Sequence, residues 1–132
     1  MDKDILQKLI EMAIQARQWA YAPYSNYAVG SVVLTDSGKI YEGVNIENAA
    51  YPTGICAERV AIFKAVSEGE RRFKAIVIST KNGGSPCGSC RQVMAEFGLD
   101  AEVICTDENG KITLESTVGD MLPGAFTPGH LV

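Results

Sequence analysis

Histidine is almost missing from this chain: the single one, His130, sits in a Gly- and Pro-containing tail and reads as a solvated side chain rather than a ligand. Basic residues are also short, with twelve Lys and Arg against sixteen Asp and Glu and a net charge of -4. That is the wrong sign for a surface that gains affinity by releasing counterions from a phosphate backbone, so long nucleic acids are excluded as partners. Apolar runs such as Ala75 to Ile78 stop at strand length, well short of the roughly 20 residues that cross a bilayer, so no membrane span is expected. Met1 to Gln7 has no basic flank, continuous apolar segment or small-residue cleavage site. The expectation is therefore a cytoplasmic protein without an export signal.

What remains is ordinary for one globular unit: 132 residues, 46% hydrophobic and 21% charged, read as a single domain over 1–132. A chain of this length buries roughly two thirds of its unfolded surface and needs no disulfide staples. In a reducing compartment its four cysteines therefore need another reason.

Apolar residues at steps of three and four from Ile5 to Ala20, Trp19 among them, predict an amphipathic helix. Tyr27–Thr35 and Lys39–Val44, separated by Asp36-Ser37-Gly38, predict a hairpin. Asn45 to Ile55 has the composition of a positioned surface loop. A helix is expected from Cys56 to Glu68 with Gly69 as its stop, then a strand over Lys74–Thr80 covered on both faces. The Gly-rich loop Lys81–Ser85, a helix over Cys87–Phe97, a strand over Ala101–Thr106 and a strand over Lys111–Leu114 follow, and the tail from Ser116 is expected to hold a short turn or helix. This order predicts an α/β fold, a three-layer α/β/α sandwich around a mixed sheet of about five strands.

Cys56 falls at the head of one predicted helix, Cys87 and Cys90 in the first turn of the next. Three residues apart on a helix, Cys87 and Cys90 present their sulfurs on one face. Helix N-termini favour thiolate over thiol, and three thiolates gathered between two such ends suit zinc. A closed set of four ligands would be structural, and an open set of three would be catalytic. Cys105 is the rival fourth ligand, and its apolar strand neighbours favour a buried core residue instead. Glu58 has two readings: a carboxylate complementing the helix dipole, or a proton shuttle beside an open zinc.

Cys56-Ala57-Glu58-Arg59 with Pro86-Cys87-Gly88-Ser89-Cys90-Arg91-Gln92 resembles the zinc-dependent cytidine deaminases in their three-cysteine form. The resemblance extends through Tyr24-Ser25-Asn26-Tyr27, Gly43 to Tyr51 and Leu122 to Phe126, and so covers nearly the whole chain. It implies one Zn2+ per chain on Cys56, Cys87 and Cys90, with Glu58 as general acid and base. It implies Asn45 and Glu47 on the ribose hydroxyls, and Tyr27, Ala57, Tyr51 and Phe126 as further substrate-binding residues. Tyr27 stands where the family usually has Phe, so its hydroxyl needs a partner or water.

The family's small members are similar in being homotetramers with shared active sites. Tyr51 and Phe126 are accordingly either partner-facing or internal core aromatics. Three thiolates leave zinc with a net charge of about -1, which makes its water less acidic, so Arg59 or Arg91 is needed to withdraw charge, with Arg59 preferred. The expected activity is hydrolytic deamination of cytidine and deoxycytidine, small nucleosides, in pyrimidine salvage. The competing readings are a polynucleotide deaminase, a deaminase of a cytosine-nucleoside antibiotic such as blasticidin S, a non-catalytic four-cysteine zinc protein, and a redox Cys-x-x-Cys pair.

Overall fold

Asp2 starts the first helix, α1 (Lys3–Ala16), by accepting the Asp4 and Ile5 N–H groups at 2.7 and 3.4 Å, which satisfies two donors that the helix itself leaves unpaired. In this computed structural model, which describes residues 1–131, the remaining long elements are β1 (Gly30–Thr35), β2 (Ile40–Val44), α2 (Ala57–Ser67), β3 (Phe73–Ser79), α3 (Gly88–Glu96), β4 (Glu102–Thr106), β5 (Ile112–Thr117) and the single turn α4 (Val118–Met121). The five strands form one mixed sheet in the order β2-β1-β3-β4-β5, in which β3 and β4 are parallel and the other neighbours antiparallel. Val132, the end of the expected domain range, lies outside the described residues.

Period-two alternation divides the sheet between its two helical layers. Val32, Leu34, Ala75, Val77 and Ile104 pack with Leu9, Ile10 and Ala13 of α1. Val33, Ile76, Ile78, Val103 and Cys105 pack on the other face with Ala61, Ile62 and Ala65 of α2 and Cys90, Met94 and Ala95 of α3. The sandwich is thus the expected one, and each fully buried aliphatic side chain contributes about 1.5–3 kcal/mol. Gly69, at φ +99°, closes α2: its N–H reaches Val66 O and the Glu70 N–H reaches Ala65 O, both at 3.0 Å, a Schellman ending.

Three element boundaries depart from the sequence pattern, one of them the last strand, which runs to Thr117 rather than Leu114 because it stays paired with β4 as far as Glu102. The helix expected over 5–20 stops at Ala16 and tightens into a 3-10 turn over Arg17–Trp19. Backbone pairing overrides the periodicity there, since Tyr21 N–H donates to Asn45 O at 3.0 Å and Glu47 N–H to Tyr21 O at 2.9 Å. Trp19 leaves the apolar face and is 74% exposed. The first strand of the hairpin begins at Gly30 rather than Tyr27 because the Asn45 amide captures the intervening backbone, accepting from Val29 N–H at 2.9 Å and donating to Tyr27 O at 2.8 Å. Among the described residues no helix is long and apolar enough to cross a membrane.

Candidate active site

Cys56 and Cys87 occupy the N-cap positions of α2 and α3, with extended backbones and no capping bond from either side chain, and Cys90 follows in the first turn of α3. The Sγ atoms of Cys56 and Cys87 are 3.8 Å apart, those of Cys87 and Cys90 3.3 Å, and all three lie within 4.8 Å of one another. Tetrahedral zinc with bonds of about 2.3 Å to sulfur requires sulfur separations of about 3.8 Å. The donor set and its spacing therefore fit one zinc ion, and these three residues can hold it.

Cys105 does not join them: it is a fully buried member of the core on β4, and burial pushes its thiol up to about 12. His130 stays in the tail, where Nδ1 accepts the Thr127 N–H at 3.0 Å and the ring stacks on Phe126 at 5.5 Å. Among the described residues the cluster thus offers three side chains that could hold a metal, which fits the open form and not the closed one.

Arg59 Nη2 donates to Cys56 Sγ at 3.6 Å. A hydrogen bond from Cys90, joined by those from Arg59 and Cys87, holds the Cys56 thiol down at about 5. The same bond to Cys56, together with burial and the Glu58 charge, pushes the Cys90 thiol up. Arg91 is used differently: Nε donates to Pro86 O at 2.8 Å and Nη2 to Ser85 Oγ at 3.3 Å, so it fixes the backbone that leads into Cys87.

A cavity of about 250 Å³ opens beside this cluster at the carboxyl end of β3, the end of a parallel pair at which open α/β sheets bind ligands. Cys56, Cys87 and Glu58 line it together with Tyr27, Asn45 and Glu47. Glu58 is only 4% exposed; burial raises its carboxyl above the ordinary value, and the Cys56 charge adds to the rise. Glu47 accepts the N–H groups of Tyr24 and Ser25, each at 3.1 Å, and the Ser25 hydroxyl, and these bonds hold its carboxyl below the ordinary value. A carboxylate offers about four acceptor positions, so one of those on Glu47 remains unused. Ala57 is the first residue of α2, where a backbone N–H has no partner within the helix.

Tyr51 and Phe126 are not brought into this cavity. They are 71% and 55% exposed, Tyr51 edge-on to Tyr24 with ring centroids 5.2 Å apart, so the internal-core reading of both is corrected. Sequence reasoning also missed Asn82, whose Oδ1 accepts the Tyr27 hydroxyl at 2.6 Å, and Thr80, whose Oγ1 accepts the N–H groups of Gly83 and Gly84 at 2.7 and 3.0 Å. The glycine pair marked this segment as a loop, but no periodicity there signals which wall of a cavity it forms.

An α/β/α sandwich with a three-cysteine cluster able to hold a metal and a buried carboxyl at the strand ends defines the class of a metal-dependent enzyme. The chain belongs to the cytidine and deoxycytidylate deaminase family, whose zinc-binding region matches residues 3–106. It is 51% identical over 124 residues to a cytidine deaminase of Halalkalibacterium halodurans, covering 92% of this chain and 93% of that one. It is 50% identical over 129 residues to a cytidine deaminase of Sporosarcina psychrophila, covering 96% and 94%. Its fold superposes on the crystal structure of cytidine deaminase from Burkholderia pseudomallei with a TM-score of 0.87 at 44% identity, over 96% of this chain and all of that one.

Proposed function

We propose that this protein, as one domain, hydrolytically deaminates cytidine and deoxycytidine to uridine and deoxyuridine with release of ammonia, a reaction of pyrimidine salvage in the cytoplasm. The single observation that carries this reading is the burial of Glu58 in the same cavity as the Cys56 and Cys87 sulfurs. Zinc on Cys56, Cys87 and Cys90 supplies the acidity that turns water into a nucleophile near neutral pH. Glu58 takes the proton from the attacking water, holds it on its carboxyl and delivers it to N3 of the cytosine ring. Once the water oxygen is bonded to C4, the same carboxyl takes the proton of the new C4 hydroxyl and gives it to the exocyclic nitrogen, so the C4–N bond breaks, ammonia leaves and the C4 carbonyl of uridine forms. The raised carboxyl pKa supports this role, because a group that must hold a proton and then release it works best when its pKa is drawn toward the operating pH.

The remaining residues bind and orient. Asn45 and the free acceptor position of Glu47 take the ribose hydroxyls, Tyr27 faces the pyrimidine, and the Ala57 N–H offers the base a donor. Arg59 draws charge from the Cys56 sulfur, which offsets the excess of thiolate. In a homotetramer the exposed Tyr51 and Phe126 would each contribute to the site of a neighbouring copy. The absence of Lys and Arg from the cavity lining supports a neutral nucleoside over a polynucleotide.

Zinc-loaded protein incubated with cytidine should lower the ultraviolet absorbance as uridine forms, and removal of the metal by a chelator should stop it. A cytosine-containing oligonucleotide should not be deaminated. Glu58→Gln, which keeps the shape and loses the proton carrier, should lower kcat by about 10²- to 10⁴-fold with one zinc per chain retained. Ordinary turnover in that variant would refute the role of Glu58.

A further inference from the structure

Two walls of the cavity come from loops distant in the sequence and are joined by one side-chain bond. The first wall, Tyr24–Val29, is fastened to the sheet by Glu47 and Asn45. The second, Thr80–Pro86, leads from β3 to Cys87 and is held from behind: Thr80 Oγ1 accepts from Gly83 and Gly84, Thr113 Oγ1 donates to Gly83 O at 2.8 Å, and Arg91 donates to Pro86 O. Toward the cavity its tie is the Tyr27 hydroxyl, which donates to Asn82 Oδ1 at 2.6 Å. Tyr27, Gly84, Ser85 and Pro86 all line the cavity, so this bond ties one of its walls to the other.

The fit around the hydroxyl is close. A Cβ at position 84 would stand 2.8 Å from Tyr27 Oη, whereas the next nearest atoms, Asn82 Oδ1 and Tyr27 Cζ, are at 3.8 and 3.9 Å. Only the hydroxyl oxygen therefore demands glycine at this position. A phenylalanine at 27 would keep the aromatic face and lose both the bond and the tight approach.

We propose that the Tyr27 hydroxyl is a positioning group: by bonding Asn82 it latches the 80–86 wall against the 24–29 wall and fixes the width of the slot that receives the pyrimidine ring. This deepens the cytidine deaminase reading and rests on it for the identity of the ligand. Without the latch the second wall keeps its ties to Thr80, Thr113 and Arg91 but loses its fixed spacing from the first, so substrate must set that spacing on binding and the loss falls on KM. Cys56, Glu58 and Cys90 are carried by the first turns of α2 and α3, and Cys87, at the end of the second wall, is held separately through Arg91 on Pro86 O, so kcat moves less.

The test uses the zinc-loaded protein and the variants Tyr27→Phe, Asn82→Ala and Gly84→Ala, with the doubles Tyr27→Phe/Asn82→Ala and Tyr27→Phe/Gly84→Ala. Each single change should raise KM for cytidine about fivefold, the worth of one neutral hydrogen bond, with a smaller change in kcat. The first double should be no worse than either single, because both remove the same bond. In the second double the alanine methyl no longer meets a hydroxyl, so Gly84→Ala should add nothing to Tyr27→Phe. A KM within twofold of the parent in Tyr27→Phe and Asn82→Ala, or additive effects in the doubles, would overturn the proposal. Amide hydrogen exchange decides the latch without turnover: exchange over residues 81–85 should quicken about fivefold in Tyr27→Phe and Asn82→Ala. Unchanged protection there overturns the latch. A zinc-loaded parent that leaves cytidine intact overturns the functional reading instead.

Discussion

Replacing Gly43 by alanine is the sharpest test of how α2 is seated. Gly43 lies in β2 directly beneath α2, and a methyl group there would sit 2.4 Å from Ala57 O, 2.5 Å from Ala61 N and 3.0 Å from Val60 Cβ. Ordinary contact begins at 3.4 Å, so the helix must retreat by about 1 Å. The two closest atoms are backbone, which cannot rotate aside. Overpacking costs about 1–3 kcal/mol, and with two backbone collisions the upper end, about 3 kcal/mol, is expected. At about 2 cal/mol/K of unfolding entropy per residue, that lowers Tm by about 10 °C.

The same displacement reaches the metal centre, because the N-terminus of α2 carries Cys56 and Glu58 while Cys87 and Cys90 stay on α3. Zinc sites tolerate only about 0.2 Å of error in ligand distance. Zinc affinity should therefore fall about 10- to 100-fold, the loss usual when the support of a ligand is disturbed. Scanning calorimetry at one protein concentration, with and without zinc, measures the first effect, and competition with a chromophoric chelator measures the second. A Gly43→Ala protein that melts within about 2 °C of the parent and holds zinc as tightly would refute the close seating of α2.

Cys105→Ala should keep one zinc per chain and its turnover, with a stability loss of about 1 kcal/mol from the small cavity; loss of the metal would restore the closed four-cysteine site. Glu47, whose carboxyl is held below its ordinary value of 4.5 by Ser25 and Tyr24, anchors the 24–29 loop fully above that value and releases it as the pH falls through the lower folded value. Exchange protection of the Tyr24 and Ser25 amides, corrected for intrinsic rates, should be flat above the ordinary carboxyl value and drop only as the pH falls below it, and Glu47→Gln should abolish the acid step. Protection that falls identically in both proteins would show that another group controls the loop.

The order of elements was legible because each is written in short-range pattern: the double-sided apolar run of β3, the Gly69 stop of α2, and the turn residues of the hairpin. The two halves of the cysteine cluster were legible for the same reason, whereas their meeting across 31 residues was left to the packing of α2 against α3. Cys56 and Glu58 lie two residues apart and Cys87 and Cys90 three apart, so the backbone of a first helical turn nearly fixes their relative placement. Where two equal candidates competed, as with Arg59 and Arg91, the sequence offered only neighbourhood, and the structure gave one a sulfur and the other a set of carbonyls.

By itself, then, the sequence determined the layered α/β architecture, the chemical nature of the ligands and the carboxyl beside them, since these depend on residue types at fixed local spacing. Tertiary structure alone decided that α1 ends where Tyr21 pairs with the strand end at Asn45, that Cys105 stays in the core, that Tyr51 and Phe126 point outward, and that Tyr27 finds Asn82. Each of those outcomes depends on contacts between segments many residues apart, whose geometry is set by how the sheet and helices pack and leaves no periodic trace in the chain.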